Sequence, residues 1–154
     1  MSNPVAYEEE LARSGTILFT VKGVSMRPLF RTATDAILVV KCALEDLKNL
    51  DIVLFMRPGP NGVEYVLHRI VDRMPDGKYI IAGDNCIGVD IVDPSDILGV
   101  VKSAKRGNKE IPLTGFKYSL YKNLWCRPYK FRSFCLRTKA RIKGIGRRII
   151  KGRK

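Results

Sequence analysis

The chain has 154 residues, 45% of them hydrophobic, and a formal net charge of +13. That size suits one domain with an appendage, and no apolar run approaches the roughly 20 residues that a bilayer-spanning helix needs. Four cysteines without a Cys-x-x-Cys spacing, beside a single histidine, speak against the usual structural zinc sites.

Residues 1–15 carry Glu8, Glu9 and Glu10 and lack the basic-then-apolar order of a signal peptide. A cytoplasmic protein with free thiols is therefore expected, a Cys126–Cys135 disulfide being the alternative. Residues 5–13 suit a short helix, acidic early and ending on Arg13, as the helix dipole favours. Strands are expected over 16–22, 36–41, 51–56, 63–72, 78–82 and 97–104, from β-branched and apolar runs punctuated by turn residues. Pro58-Gly59-Pro60-Asn61-Gly62 should end the third strand, and Met74-Pro75-Asp76-Gly77 is a hairpin signal. Within 63–72, Val63, Tyr65, Leu67 and Arg69 share one side, and Glu64, Val66, His68 and Ile70 the other. Residues 44–49 and 83–94 read as loops. The body is expected to be mostly β, a coiled sheet.

From about Thr114 the pattern changes. Phe116, Leu120, Leu124, Phe131 and Phe134 recur at helix-like spacing, interrupted by Pro128, and Leu136, Ile142, Ile145 and Ile149 continue among basic residues. Gly144, Gly146 and Gly152 weaken the last piece, whose end should fray. Charge divides near the same point. Residues 116–154 hold fourteen Lys or Arg and no Asp or Glu, whereas 1–115 hold fourteen basic against fifteen acidic residues. The expected organisation is a short helix or arm over 1–13, a β body over 14–114 and a basic, partly helical tail over 115–154.

A serine hydroxyl is a poor nucleophile until a base takes its proton, and histidine is the side chain suited to that task. The single histidine, His68, lies forty-three residues after Ser25. Gly23 permits a tight or left-handed backbone before Ser25, and Pro28 stops any regular element soon after it. Asp84 and Asp90 follow as carboxylates that can orient an imidazole. Taken singly, these residues also have plainer readings: a solvated turn serine, a strand histidine beside Glu64, and aspartates closing Asx turns. Met26 reads as a core residue beneath the serine, and Arg69 as a solvated strand charge.

Three motifs, in this order, resemble the serine peptidases that include type I signal peptidases and LexA-like self-cleaving repressors. Gly23-Val24-Ser25-Met26-Arg27-Pro28 is similar to the nucleophile box. Asp51-Ile52-Val53-Leu54-Phe55 with His68-Arg69-Ile70-Val71 is similar to the strand pair bearing the general base. Ala82-Gly83-Asp84-Asn85 with Asp90, then Ile97-Leu98-Gly99-Val100-Val101, is similar to the Gly-Asp-Asn box and the strand after it. The resemblance covers roughly residues 14–104. Bacterial signal peptidases and LexA-like proteins use a lysine as base; His68 matches the endoplasmic-reticulum and archaeal branch, as do Asp84 and Asp90 in their separation. There are two departures. Gly23 stands where signal peptidases usually carry a serine that helps to hold the oxyanion. The twenty-two residues before Gly23 hold neither the usual transmembrane anchor nor room for a repressor's helix-turn-helix.

The resemblance implies a coiled β-sheet peptidase fold and a serine endopeptidase, without cofactor, cleaving a leader or signal segment of a peptide or preprotein. Ser25 would be the nucleophile, His68 the base and then the acid, and Asp90, or failing that Asp84, the orienting carboxylate. Gly23 and Met26 would lie on the substrate and oxyanion side, with the Ser25 backbone N–H among the oxyanion donors. An extended peptide would lie beside the strand following Ser25 and the strand bearing His68, with small residues before the cleaved bond. Activity should rise with pH through about 6–7. A non-catalytic peptide- or partner-binding module of the same fold, and a LexA-like self-cleaving regulator, are the alternatives. The tail's expected partner is an anionic membrane surface, met through Trp125, Arg127, Lys130 and Arg132 with Tyr118, Tyr121, Phe131 and Phe134. That would place the protein peripherally at the inner membrane face. A sequence-independent nucleic-acid arm and a dock for an acidic protein are the rivals, and no specific nucleic acid is expected.

Overall fold

β-Branched and aromatic runs separated by Gly, Pro and Asp turns build one antiparallel sheet. The computed structural model describes residues 5–151, with side chains from 7 to 142. In chain order come α1 (Val5–Ser14), β1 (Thr16–Thr20), β2 (Asp35–Val40), a 3-10 turn (Leu44–Asp46), β3 (Ile52–Gly59) and β4 (Gly62–Arg73). Then follow β5 (Tyr79–Ala82), β6 (Asp90–Val92), β7 (Ile97–Arg106) and β8 (Lys109–Glu110). The chain ends in α2 (Gly115–Tyr121), a π-helical turn (Lys122–Cys126) and α3 (Tyr129–Lys151). Across the sheet the order is β1-β2-β7-β3-β4-β5-β6, with β8 against β7.

Two apolar clusters sandwich the central strands. Ile52 and Leu54 join Leu11, Phe19, Met26 and Phe30, whereas Val53 and Phe55 join Ile70, Tyr79 and Ile81. Successive strand residues point to opposite faces, so a strand covered on both faces must be apolar at every position. That is why 52–55 reads as an unbroken apolar run. Burial of each such side chain contributes about 1.5–3 kcal/mol.

The mostly-β body appears as expected, and several boundaries move for identifiable reasons. β1 stops at Thr20, because Val21 already accepts from the Ala33 N–H (3.3 Å) across the Ser25 turn. β3 runs through Pro58, opposite Val63. Its other neighbour, β7, pairs only with Val53, Leu54 and Phe55, so the N–H that proline lacks is not needed there. The stretch 83–94 is not wholly loop. Asp90 and Val92 pair with Ile81 and Tyr79 to make β6, a strand too short to show any period in sequence. The hairpin at 74–77 closes through Met74 N–H to Lys78 O (2.8 Å). Gly144 and Gly146 do not stop α3, and Gly152, where fraying was expected, lies outside the described residues.

The helical arm is fastened to the sheet by polar groups. Arg69 of β4 forks onto both Asp84 oxygens (Nε–Oδ1 2.9 Å, Nη2–Oδ2 2.8 Å), and its Nη1 donates to the Leu50 carbonyl and the Tyr118 hydroxyl. Tyr121 donates to Asp84 Oδ2 (2.8 Å), Trp125 Nε1 to the Asp84 carbonyl (3.0 Å), and Arg132 Nη2 to the Gly83 carbonyl (3.2 Å). Arg69, Asp84 and Arg132 are all fully buried, so Arg69 is not the solvated charge that its exposed-looking strand suggests. Bidentate pairing is what makes such burial tolerable.

Two buried guanidiniums share this one carboxylate, and Arg132 Nε has no hydrogen-bond partner. Removing Asp84 would strand both cations. Asp84→Leu is expected to destabilise the fold by about 3–5 kcal/mol, and Tyr121→Phe by about 1.5–3 kcal/mol, both read from urea unfolding midpoints. Unchanged midpoints would mean that this cluster does not hold the arm.

Candidate active site

Neighbouring residues of a strand diverge, and in β4 that divergence separates two jobs. Arg69 turns to Asp84, whereas the His68 ring meets Asp90, with Nδ1 3.2 Å from Oδ2. Register explains how one loop serves both. Arg69 lies opposite Ala82 at the end of β5, so the next residue, Gly83, is set down beside His68.

At Gly83 the packing leaves no room for a side chain. A Cβ there would stand 2.7 Å from Cys86 Sγ, 2.8 Å from the Ser25 carbonyl and 2.9 Å from His68 Nε2. Serine turn, imidazole and thiol therefore crowd around one point that only glycine vacates. Asn85 ties the loop to the turn, its backbone N–H donating to Ser25 O (2.7 Å) and its Nδ2 to Val24 O (3.2 Å). The turn is shaped by Gly23 at φ +77°, in the left-handed region that favours glycine, and by Phe30 N–H to Met26 O (3.0 Å). The Thr32 hydroxyl also donates to the Gly23 carbonyl.

Asp90 sits between the Arg57 guanidinium and the His68 ring. Its Oδ2 meets His68, and its Oδ1 accepts from Arg57 Nη1 at 2.7 Å, while Arg57 Nε reaches Glu64 at 3.3 Å. Hydrogen bonding to His68 and Arg57 outweighs burial and holds the Asp90 carboxyl below its ordinary range. Burial works against a charged His68 ring, but its hydrogen bonding to Asp90, with a lesser contribution from Cys86, prevails and raises its pKa above the ordinary 6.5. With Asp90 accepting from Nδ1–H, the lone pair sits on Nε2, on the Ser25 and Cys86 side.

A groove of about 920 Å³ opens over these groups, lined by Gly23, Ser25, His68 and Asp90 among others. No family model, curated protein or solved structure matches this chain. The chemistry of the site rests on its own geometry.

Of the expected site residues, Ser25, His68, Asp90 and Gly23 come together in the groove. Asp84 does not reach the imidazole; it is committed to Arg69, which settles the choice between the two aspartates as the His68 partner in favour of Asp90. Met26 is 1% exposed, packed in the core beneath the turn and not at the substrate side. Trp125 and Arg132, expected to meet a partner surface, point inward to Asp84 and Gly83, as do Tyr118 and Tyr121 to Arg69 and Asp84. Arg127 and Lys130 are exposed.

Two residues escaped the sequence reading. Cys86 reads in the sequence as one free thiol among four, although it stands two residues after Asp84, beside the same box. Arg57 carries a findable signal, since β3 and β4 flank one tight turn and set Arg57 opposite Glu64. Among the described residues, no group of three or more His, Cys, Asp or Glu is placed to hold a metal ion.

The chain's only imidazole gives one unambiguous titration by NMR. His68 should titrate above the ordinary 6.5, and Asp90→Asn should lower its pKa, because burial then opposes protonation with less to offset it. Equal values in the two proteins would show that Asp90 does not act on the ring.

Proposed function

We propose that the protein is a serine endopeptidase of the signal-peptidase type, with Ser25 as nucleophile, His68 as base and Asp90 as the carboxylate that orients it. The observation carrying this is the convergence of the Ser25 turn and His68 Nε2 on Gly83, with His68 Nδ1 held by Asp90. The order of the three sequence motifs supports the same reading.

Ser25 Oγ attacks the scissile carbonyl while Nε2 of His68 takes its proton, giving a tetrahedral intermediate. The proton passes to the departing amine, and an acyl group stays on Ser25. Water then repeats the sequence in reverse, with His68 again as base, and the acid product leaves. Asp90 keeps the proton on Nδ1 and stabilises the imidazolium, and Arg57 fixes Asp90 from its far oxygen. Asn85 holds the carbonyls of Val24 and Ser25, which steadies the backbone whose N–H would face the oxyanion.

Groove shape supports an extended substrate. Phe19 and Val21 line one side, and Val63, Leu67, Ile87 and Val89 line others, so an apolar peptide suits the walls. β5 pairs with β4 only from Arg69 to Arg73, and the groove follows the earlier half of β4, where a peptide strand can align.

A second reading places the nucleophile at Cys86, favoured by its Sγ crowding the same Gly83 position as His68 Nε2. A groove that binds peptides without cutting them is the non-enzymatic rival. A fluorophosphonate serine probe separates the serine reading from both. Labelling of the wild type is expected, with its rate rising as His68 loses its proton, at pH above 6.5. Ser25→Ala should abolish labelling, His68→Ala should slow it at least about 100-fold, and Cys86→Ala should retain it. Persistent labelling of Ser25→Ala, or none of the wild type, contradicts the proposal.

A further inference from the structure

The helical arm has two unlike faces. Its inner side carries Tyr121, Trp125 and Arg132 into the Gly83–Asp84 backbone and side chain. On α3 the other side carries Phe131, Phe134 and Ile142, which are 64%, 66% and 64% exposed. Their spacing aligns them along one stripe of a 3.6-residue helix, away from the buried Arg132. Lys130, Arg137, Lys139 and Arg141 flank that stripe and are exposed. No acidic residue lies anywhere in 116–154 to neutralise them.

A helix that meets only water mixes charges of both signs on its outer side and has no cause to align phenylalanines. Here the groups run apolar in the middle and cationic at the margins. That order matches the boundary between lipid headgroups and acyl chains, where aromatic side chains sink in while flanking cations meet phosphate. A nucleic-acid surface would instead want cations in the middle, where Phe134 and Ile142 stand.

We propose that the outer face of α3 docks on an anionic lipid bilayer, the helix lying along its surface. Among the described residues no helix is long and apolar enough to cross a membrane. The docking face consists of Phe131, Phe134 and Ile142 with Lys130, Arg137 and Arg141. Trp125 and Arg132 are outside it, being engaged with the body. It uses no residue of the groove and stands independently of the peptidase reading.

Co-sedimentation of the full chain with vesicles tests this. Vesicles of equal parts phosphatidylglycerol and phosphatidylcholine should bind it at least about tenfold better than phosphatidylcholine alone, less so as salt rises. The charge-neutral variant Phe131→Ser/Phe134→Ser/Ile142→Ser should lose at least about tenfold of that binding with an unchanged unfolding midpoint. Arg137→Gln/Arg141→Gln should weaken it as well. The proposal is overturned if the wild type ignores anionic vesicles or if the triple variant binds them as the wild type does. It is equally overturned if duplex DNA at equal phosphate binds both proteins more tightly than the vesicles do.

Discussion

The buried pairing of Arg69 with Asp84 sets the position of everything around the groove. Arg69 follows His68 in β4, and Asp84 follows Gly83 in the loop after β5. Locking one pair therefore delivers the other: Gly83 is pressed against His68 Nε2 and the Ser25 carbonyl. A buried ion pair is a poor source of net stability, since desolvation consumes most of the Coulombic gain. Its value here is positional, because a bidentate guanidinium–carboxylate contact admits little rotation. The same carboxylate receives Tyr121, and its backbone receives Trp125, so the arm is fastened at the back of the loop that forms the site.

Electrostatics divides the two aspartates just as clearly. Asp84 is fully buried and faces two arginines. Asp90 is partly exposed and sits between Arg57 and the imidazole. In the proposed mechanism a carboxylate tied on its far side by Arg57 can steady an imidazolium without taking the proton itself. A raised His68 pKa makes the ring a stronger base at the expense of the fraction that is neutral near pH 7.

Much of this arrangement was legible in the sequence. The run 51–56 reads as a strand, the aromatic spacing after Thr114 as helical, and Gly23 with Pro28 as a turn. Ser25, His68 and Asp90 were readable because each is scarce or sits in a distinctive box. What stayed hidden depends on partners distant in sequence. Arg69 looks like any charged strand residue, although its alternation with Tyr65 and Leu67 did place it on a side shared with apolar neighbours. Arg132 sits among many exposed cations, and contacts with Gly83 and Asp84, nearly fifty residues away, distinguish it. Cys86 gains meaning only when Gly83 brings it to the imidazole.

The central claim is that the hydroxyl of Ser25, and not the thiol of Cys86, receives the acyl group through His68. It is tested most directly by mixing the protein with an activated peptide ester, quenching in acid and mapping the acylated peptide. The account predicts an acyl group on Ser25, stable to neutral hydroxylamine and missing from the His68→Ala protein. An acyl group on Cys86 that neutral hydroxylamine removes, or no acylation under turnover, would contradict it.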